Sequence, residues 1–155
     1  MERIPDPQSG KSFEASSLRW DEIERAPHSG VLELYRACLC VRNGNPGFRP
    51  TGRRFLSVRE WPQGAIAIRL FGDSSEWLLL VDLVGGHSGN ADALFSDAEP
   101  SVWTIILSTR EHRFGGDGGC ALSPTRDRLH FTKPEALLLK RNLAEDRWQS
   151  EKVGR

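Results

Sequence analysis

The sequence has no apolar run near the roughly 20 residues that a membrane-spanning helix requires. It has no excess of either charge: Lys and Arg number 21 and Asp and Glu number 21, so no global field draws the chain to nucleic acid or an anionic membrane. A local cluster, Arg49, Arg53, Arg54 and Arg59, reads as a solvated loop and strand edge rather than a polyanion site. The N-terminal "MERIPDPQSGK" lacks the apolar core of a signal peptide. Cysteine is scarce and odd in number, at three, which excludes a disulfide framework. Cys38 and Cys40 lie two apart on a predicted helix and point to different faces, with Cys120 far along the chain, so each is expected to be a buried reduced thiol. Together these absences predict a cytoplasmic protein.

The familiar catalytic signatures are missing too. His28, His87, His112 and His130 are scattered and form neither H-E-x-x-H nor a paired Cys/His spacing. Asp73, Asp82, Asp92, Asp97 and Asp117 fall in or near loops, without a twelve-residue calcium loop. No G-x-S-x-G elbow occurs, and Cys120 and His112 bracket a loop without a third partner. No metal, no cofactor and no catalytic residue are therefore expected. The glycine-rich "FGGDGG" at 114–119 superficially offers G-x-G-x-x-A through Gly116, Gly118 and Ala121. A dinucleotide site needs a helix to follow, whereas "LSPTRD" with Pro124 follows here. These glycines are expected to supply positive φ for a tight turn.

What the sequence does contain is order of two kinds. "SGVLELYRACLCVRNGNPG" carries Val31, Leu34, Tyr35, Cys38 and Val41 at helical spacing, widened by Leu32 and Leu39 and stopped by Gly44 and Pro46. So wide an apolar arc wants partners on more than one side. Before it, "SLRWDEIER" predicts a short helix with Ser16 or Ser17 as N-cap. After it come short runs separated by turn residues: "RFLSVRE", "AIAIRLFG", "EWLLLVDLV", "VWTIILST", "RLHF" and "EALLLKRN". "WLLLV" is apolar on both faces and is expected to be central. Strands without intervening helices predict a mainly β chain, an antiparallel β-sandwich preceded by an N-terminal helical segment. The division expected is an irregular and helical part at 1–46, the sandwich at 47–143 and a polar tail at 144–155. Five tryptophans are many for 155 residues. Trp77 and Trp103 lie within strands and read as core, and Trp61, just before Pro62, is the expected surface platform for a sugar ring.

Three motifs in order resemble the C-terminal region of malto-oligosyltrehalose trehalohydrolases, a branch of the α-amylase superfamily. Asp6 to Gln8 and the F-x-x-S-x-L-x-W of Phe13 to Trp20 resemble the approach to the last barrel helix, and Leu34 to Leu39 resembles that helix's Leu-Tyr-Arg motif. Ser108, Thr109, Arg113, Phe114, Gly115 and Gly116 match the S-T-x-x-x-R-[FY]-G-G of the closing β-domain, called domain C, and "KPEALLLKR" its last strand. The resemblance runs from about residue 4 to 141. It implies a non-catalytic region that braces a (β/α)8 barrel supplied in cis or in trans. The barrel and its carboxylates have no counterpart among these residues, so no catalytic residue carries over. It further implies that the Val31 to Val41 helix, lacking its barrel, finds a second copy of the chain. A free-standing α-glucan-binding module using Trp61 is the alternative.

Overall fold

The computed structural model describes residues 6–45, 48, 56–61, 64–71, 75–90, 103–119, 121–122 and 128–142. Arg49, Arg53, Arg54, Cys120, Trp148 and the tail at 144–155 lie outside them. Among the described residues, eight strands form two antiparallel sheets. One has the order β1 (Leu56–Trp61), β2 (Ala65–Phe71), β3 (Ser75–Asp82), β8 (Glu135–Asn142), β5 (Thr104–Ser108). The other has the order β4 (His87–Asn90), β7 (Arg128–Phe131), β6 (Ala121–Leu122). The arrangement is a β-sandwich-like fold with helices α1 (Gly10–Ser16) and α2 (His28–Gly44) before it. Among the described residues no helix is long and apolar enough to cross a membrane.

Strand β3 is central in its sheet, as its two apolar faces require. On its inner face Leu78 and Leu80 meet Leu137 and Leu139 of β8 and Ala65 and Ala67 of β2. Leu129 and Phe131 alternate inward from β7 and close this core from the second sheet. A bulge at Ile106 shifts the β5 register, so that Ile105 pairs with Leu139 and Ser108 with Leu137.

Trp61 does not sit at the surface. It ends strand β1 opposite Ala65, is 2% exposed, and meets Phe131 edge-on at 5.8 Å between ring centroids. Gly89 makes this possible, because a Cβ there would stand 2.6 Å from the indole. No face of Trp61 is open for a sugar ring, which corrects the stacking role expected of it. Trp77 and Trp103 are buried, as their strand positions predict.

The N-terminal part also differs from expectation. Ser16 and Ser17 do not open a helix; their hydroxyls donate back to the Phe13 carbonyl at 2.9 and 3.2 Å and close α1. "SLRWDEIER" holds only a 3₁₀ turn at Trp20–Glu22. Cys38 and Cys40 are exposed rather than buried, because both fall on sides of α2 that nothing described covers. Strand β4, "HSGN", was not legible as a strand, being polar and short.

Where the inner face of β3 and β8 leaves the apolar core, it turns ionic. Glu76 is 1% exposed and takes Arg69 on one oxygen and Arg141 on the other. Removing one member of a buried ion pair strands the remaining charges. Glu76→Ala is expected to cost about 3–5 kcal/mol in urea unfolding. A loss below about 1 kcal/mol would show that water replaces the carboxylate at no net cost.

Candidate functional site

Helix α2 carries a wide apolar arc with little cover. It runs from His28 to Gly44 and contains no buried residue. Four of its half-buried positions, Gly30, Leu34, Ala37 and Val41, recur at helical spacing and form one stripe. A second stripe, Val31, Tyr35 and Leu39, is exposed, with Tyr35 66% open. The same holds along the whole stretch from residue 6 to 45, where no side chain is buried while Phe13, Leu18 and Trp20 stand exposed.

The outer face of the five-stranded sheet is also apolar. Pairing places Leu56 with Leu70, Val58 with Ile68, and Ile66 with Val81 on this side. Leu56, Val58 and Ile66 are exposed and Ile68, Leu70, Leu79, Val81 and Leu138 are half-buried. Trp77 is the buried residue of this face, with Phe48 at 4.7 Å and the Lys140 ammonium 5.1 Å from its ring.

The glycine loop is the joint between helix and sandwich. After β5 the chain makes a 3₁₀ turn, His112–Phe114, whose Phe114 is buried. Gly30 lies so close to it that a Cβ would stand 2.5 Å from the Phe114 carbonyl oxygen. Gly115 and Gly118 take φ of 84° and 100°, the left-handed region in which glycine is unstrained. Gly116 passes so near Arg110 that a Cβ would stand 2.1 Å from its carbonyl oxygen.

Asp117, at the middle of "FGGDGG", is the clasp. One oxygen receives the Arg110 guanidinium, with Nε at 2.9 Å, and the other receives Lys133. Arg110 also donates to the Thr132 hydroxyl at 2.6 Å. Lys133 and then Arg110 hold the Asp117 carboxyl far below the usual carboxylate range. With both oxygens engaged by cations of the chain itself, the loop is built as a turn and not as an anion cradle.

A second turn is gripped in the same manner. Asp82, buried at the end of β3, accepts the Val84 and Gly85 amides at 2.9 and 2.7 Å and faces His87 Nδ1 at 2.8 Å. Burial pushes its carboxyl up, but the Gly85 and Val84 amides and His87 outweigh that and hold it lowered. Leu83 and Val84 project from this turn into solvent.

A cleft of about 340 Å³ lies beside β5, lined by Ile105, Ile106, Ser108, Glu111, Gly119 and Leu137. Its polar groups are engaged with one another. Ser108 donates to Glu135 at 2.5 Å and accepts the Arg110 amide at 3.0 Å, while Glu111 accepts the Ser108 amide at 2.8 Å and Arg113 at 2.7 Å. His112 faces the Gly116 carbonyl at 3.0 Å, and His87 faces Asp82, so the structure brings neither near another histidine of the described residues. Among the described residues no three His, Cys, Asp or Glu side chains gather as a metal site.

No family model matches the chain. Among curated proteins it is similar to the malto-oligosyltrehalose trehalohydrolase of Rhizobium sp. (strain M-11), 33% identical over 79 residues, covering 45% of this chain and 13% of that protein. It is also similar to those of Arthrobacter ramosus, 42% identical over 43 residues (28% and 8%), and Deinococcus radiodurans, 37% identical over 57 residues (37% and 10%). The chain thus spans from 8 to 13% of the length of these relatives. These partial matches relate it to the trehalohydrolases and so to the amylase family.

Two outcomes follow from the joint. Gly30→Ala would gain up to about 1 kcal/mol of helix propensity, but its methyl meets backbone rather than a flexible side chain. We expect a lower melting temperature and faster proteolysis between α2 and β1, while Gly44→Ala, with nothing within 4 Å, is neutral or stabilising. The clasp contributes stability that is complete above about pH 4, the usual carboxylate range, and drains away as pH falls and Asp117 protonates. Asp117→Asn should therefore lower stability at pH 7 and flatten its acid limb, as read from melting temperature against pH.

Proposed function

We propose that this chain is the non-catalytic C-terminal β-domain, with the last barrel helix, of a trehalose- or α-glucan-metabolising glycoside hydrolase. Its role is structural: it docks on a (β/α)8 barrel, in cis or in trans, and covers that barrel's outer helices. The observation that carries this is the unburied stretch from residue 6 to 45, which holds six large exposed apolar side chains. Folded chains seldom leave so much apolar surface contiguous unless a partner covers it. The exposed outer sheet face is a second apolar surface left open among the described residues. The relatives supply the class, since each is named for trehalohydrolase activity and is far longer than the matched segment. A cytoplasmic location goes with that reading.

The α-glucan-binding alternative has lost Trp61 to the core. Trp20, 72% exposed, is the open indole among the described residues on which it would now rest. Trp20 lies in the same uncovered segment as Phe13 and Leu18, so burial against protein is the better use for it.

Without its barrel the chain is expected to pair with a second copy through the Val31 to Val41 helix. Sedimentation should show a concentration-dependent dimer that Val31→Glu with Leu39→Glu abolishes, with the far-ultraviolet circular dichroism unchanged. The chain alone should release neither glucose nor trehalose from malto-oligosyltrehalose. A monomer at the highest attainable concentration would remove the docking face, and sugar release would overturn the non-catalytic reading.

A further inference from the structure

The inner face of β1 and β2 is apolar at one end and cationic at the other. Trp61 opposes Ala65, Arg59 opposes Ala67, and Ser57 opposes Arg69 across the ladder. Directly opposed residues share a face, so Ser57, Arg59, Ala67 and Arg69 all project to the side of the buried Leu78. With Phe71 they line a cavity of about 50 Å³. The space exists because Ala67 ends at its Cβ while the arginines beside it reach on. One water needs roughly 10–15 Å³, so this cavity admits a few waters or one tetrahedral oxyanion in their place.

Charge decides between them. Glu76 takes Arg69 and Arg141 on its two oxygens, and the Arg69 guanidinium also lies 5.2 Å from the Phe71 ring centroid. Arg59 adds a third guanidinium, and no described residue pairs with it. Ala67 and Leu78 form an apolar floor beneath the two arginines, and Phe71 stands at the mouth that opens to water. Arg59 and Arg69 are diagonal neighbours on adjacent strands, with Cβ atoms about 7–8 Å apart by strand geometry. That spacing lets two long side chains converge on one group, and the planar guanidinium fork suits phosphate oxygens. Glu76 holds Arg69 in place beforehand, so only Arg59 must be ordered on binding.

We propose that this cavity binds a small oxyanion, either inorganic phosphate or the phosphate head of a monoester, between Arg59 and Arg69 with the Ser57 hydroxyl as a further donor. Phe71, 39% exposed at the mouth, would contact the organic part of a monoester. This site is independent of the docking layer, because it lies on the opposite face of the sheet from Leu56, Val58 and Ile66.

The test is calorimetric titration of the 155-residue chain with inorganic phosphate and, separately, phenyl phosphate, at low ionic strength with chloride as the control anion. We expect saturable binding at one site, weakened at least tenfold in Arg59→Gln and partly restored in Arg59→Lys. Arg59 is exposed, so the substitution should leave the melting temperature in chloride unchanged. Tighter binding of phenyl phosphate assigns the site to monoesters, and equal or weaker binding assigns it to free phosphate. Failure of both anions to saturate, or equal affinity in Arg59→Gln, would overturn the proposal.

Discussion

A sheet whose central strand is apolar on both faces must be covered twice. Strand β3 imposes that condition, with Leu78 and Leu80 on one side and Trp77, Leu79 and Val81 on the other. The described chain meets it once. Leu129 and Phe131, fully buried, cap the inner face from the small second sheet, and the core forms there. The outer face has Phe48 over Trp77 but leaves Leu56, Val58 and Ile66 open. Hydrophobic burial is the main driving force for folding and association alike, at roughly 25 cal/mol per Å². The same pattern that builds the core therefore leaves an apolar surface on its reverse.

Charges mark where each apolar region stops. Glu76 with Arg69 and Arg141 closes one end of the inner face, and Asp82 and Glu135, opposed across β3 and β8, close the other. Buried acids are tolerated there because each is met by donors: guanidiniums for Glu76, turn amides and His87 for Asp82, the Ser108 hydroxyl for Glu135. Asp117 extends this logic to the glycine loop. By pinning that loop to Arg110 and Lys133, it fixes the platform, Phe114, on which Gly30 seats α2. A turn made of four glycines would otherwise be the least ordered part of the chain.

Local pattern was enough to place most strands and the helix, because each carries its period in its own residues. The alternation of Ile66, Ile68 and Leu70 with Ala65, Ala67 and Arg69 marks β2, and the stop at Gly44 marks the end of α2. What escaped depended on residues distant in sequence. Trp61 looked like a turn residue because Pro62 follows it; its burial is decided by Gly89, twenty-eight positions on, which yields room for the indole. Strand β4 has no apolar period and exists only through pairing with β7. Cys38 and Cys40 are expected inside because thiols usually are, but burial needs a neighbour, and the close approach of α2 to the Phe114 turn is on its Gly30 side. The Arg59 cavity was invisible for the same reason, since Ala67 and Arg69 face Arg59 only once β1 and β2 pair.

The composition of the exposed stripe on α2 says what kind of surface it fits. Val31, Tyr35 and Leu39 form its middle, and His28 and Arg42, one heptad to either side of Tyr35, form its ends. The acid of this helix, Glu33, lies off the stripe and pairs with Arg36. A symmetric antiparallel pairing of two copies about Tyr35 sets His28 of one copy, with Glu22 at 3.7 Å from its Nε2, near Arg42 of the other. Burying a charge without an opposite partner opposes association, and Arg42 meets no carboxylate of the facing stripe in that arrangement. The exposed stripe is thus apolar at its middle and cationic at its Arg42 end, and a complementary surface would set apolar side chains against the first and a carboxylate against the second.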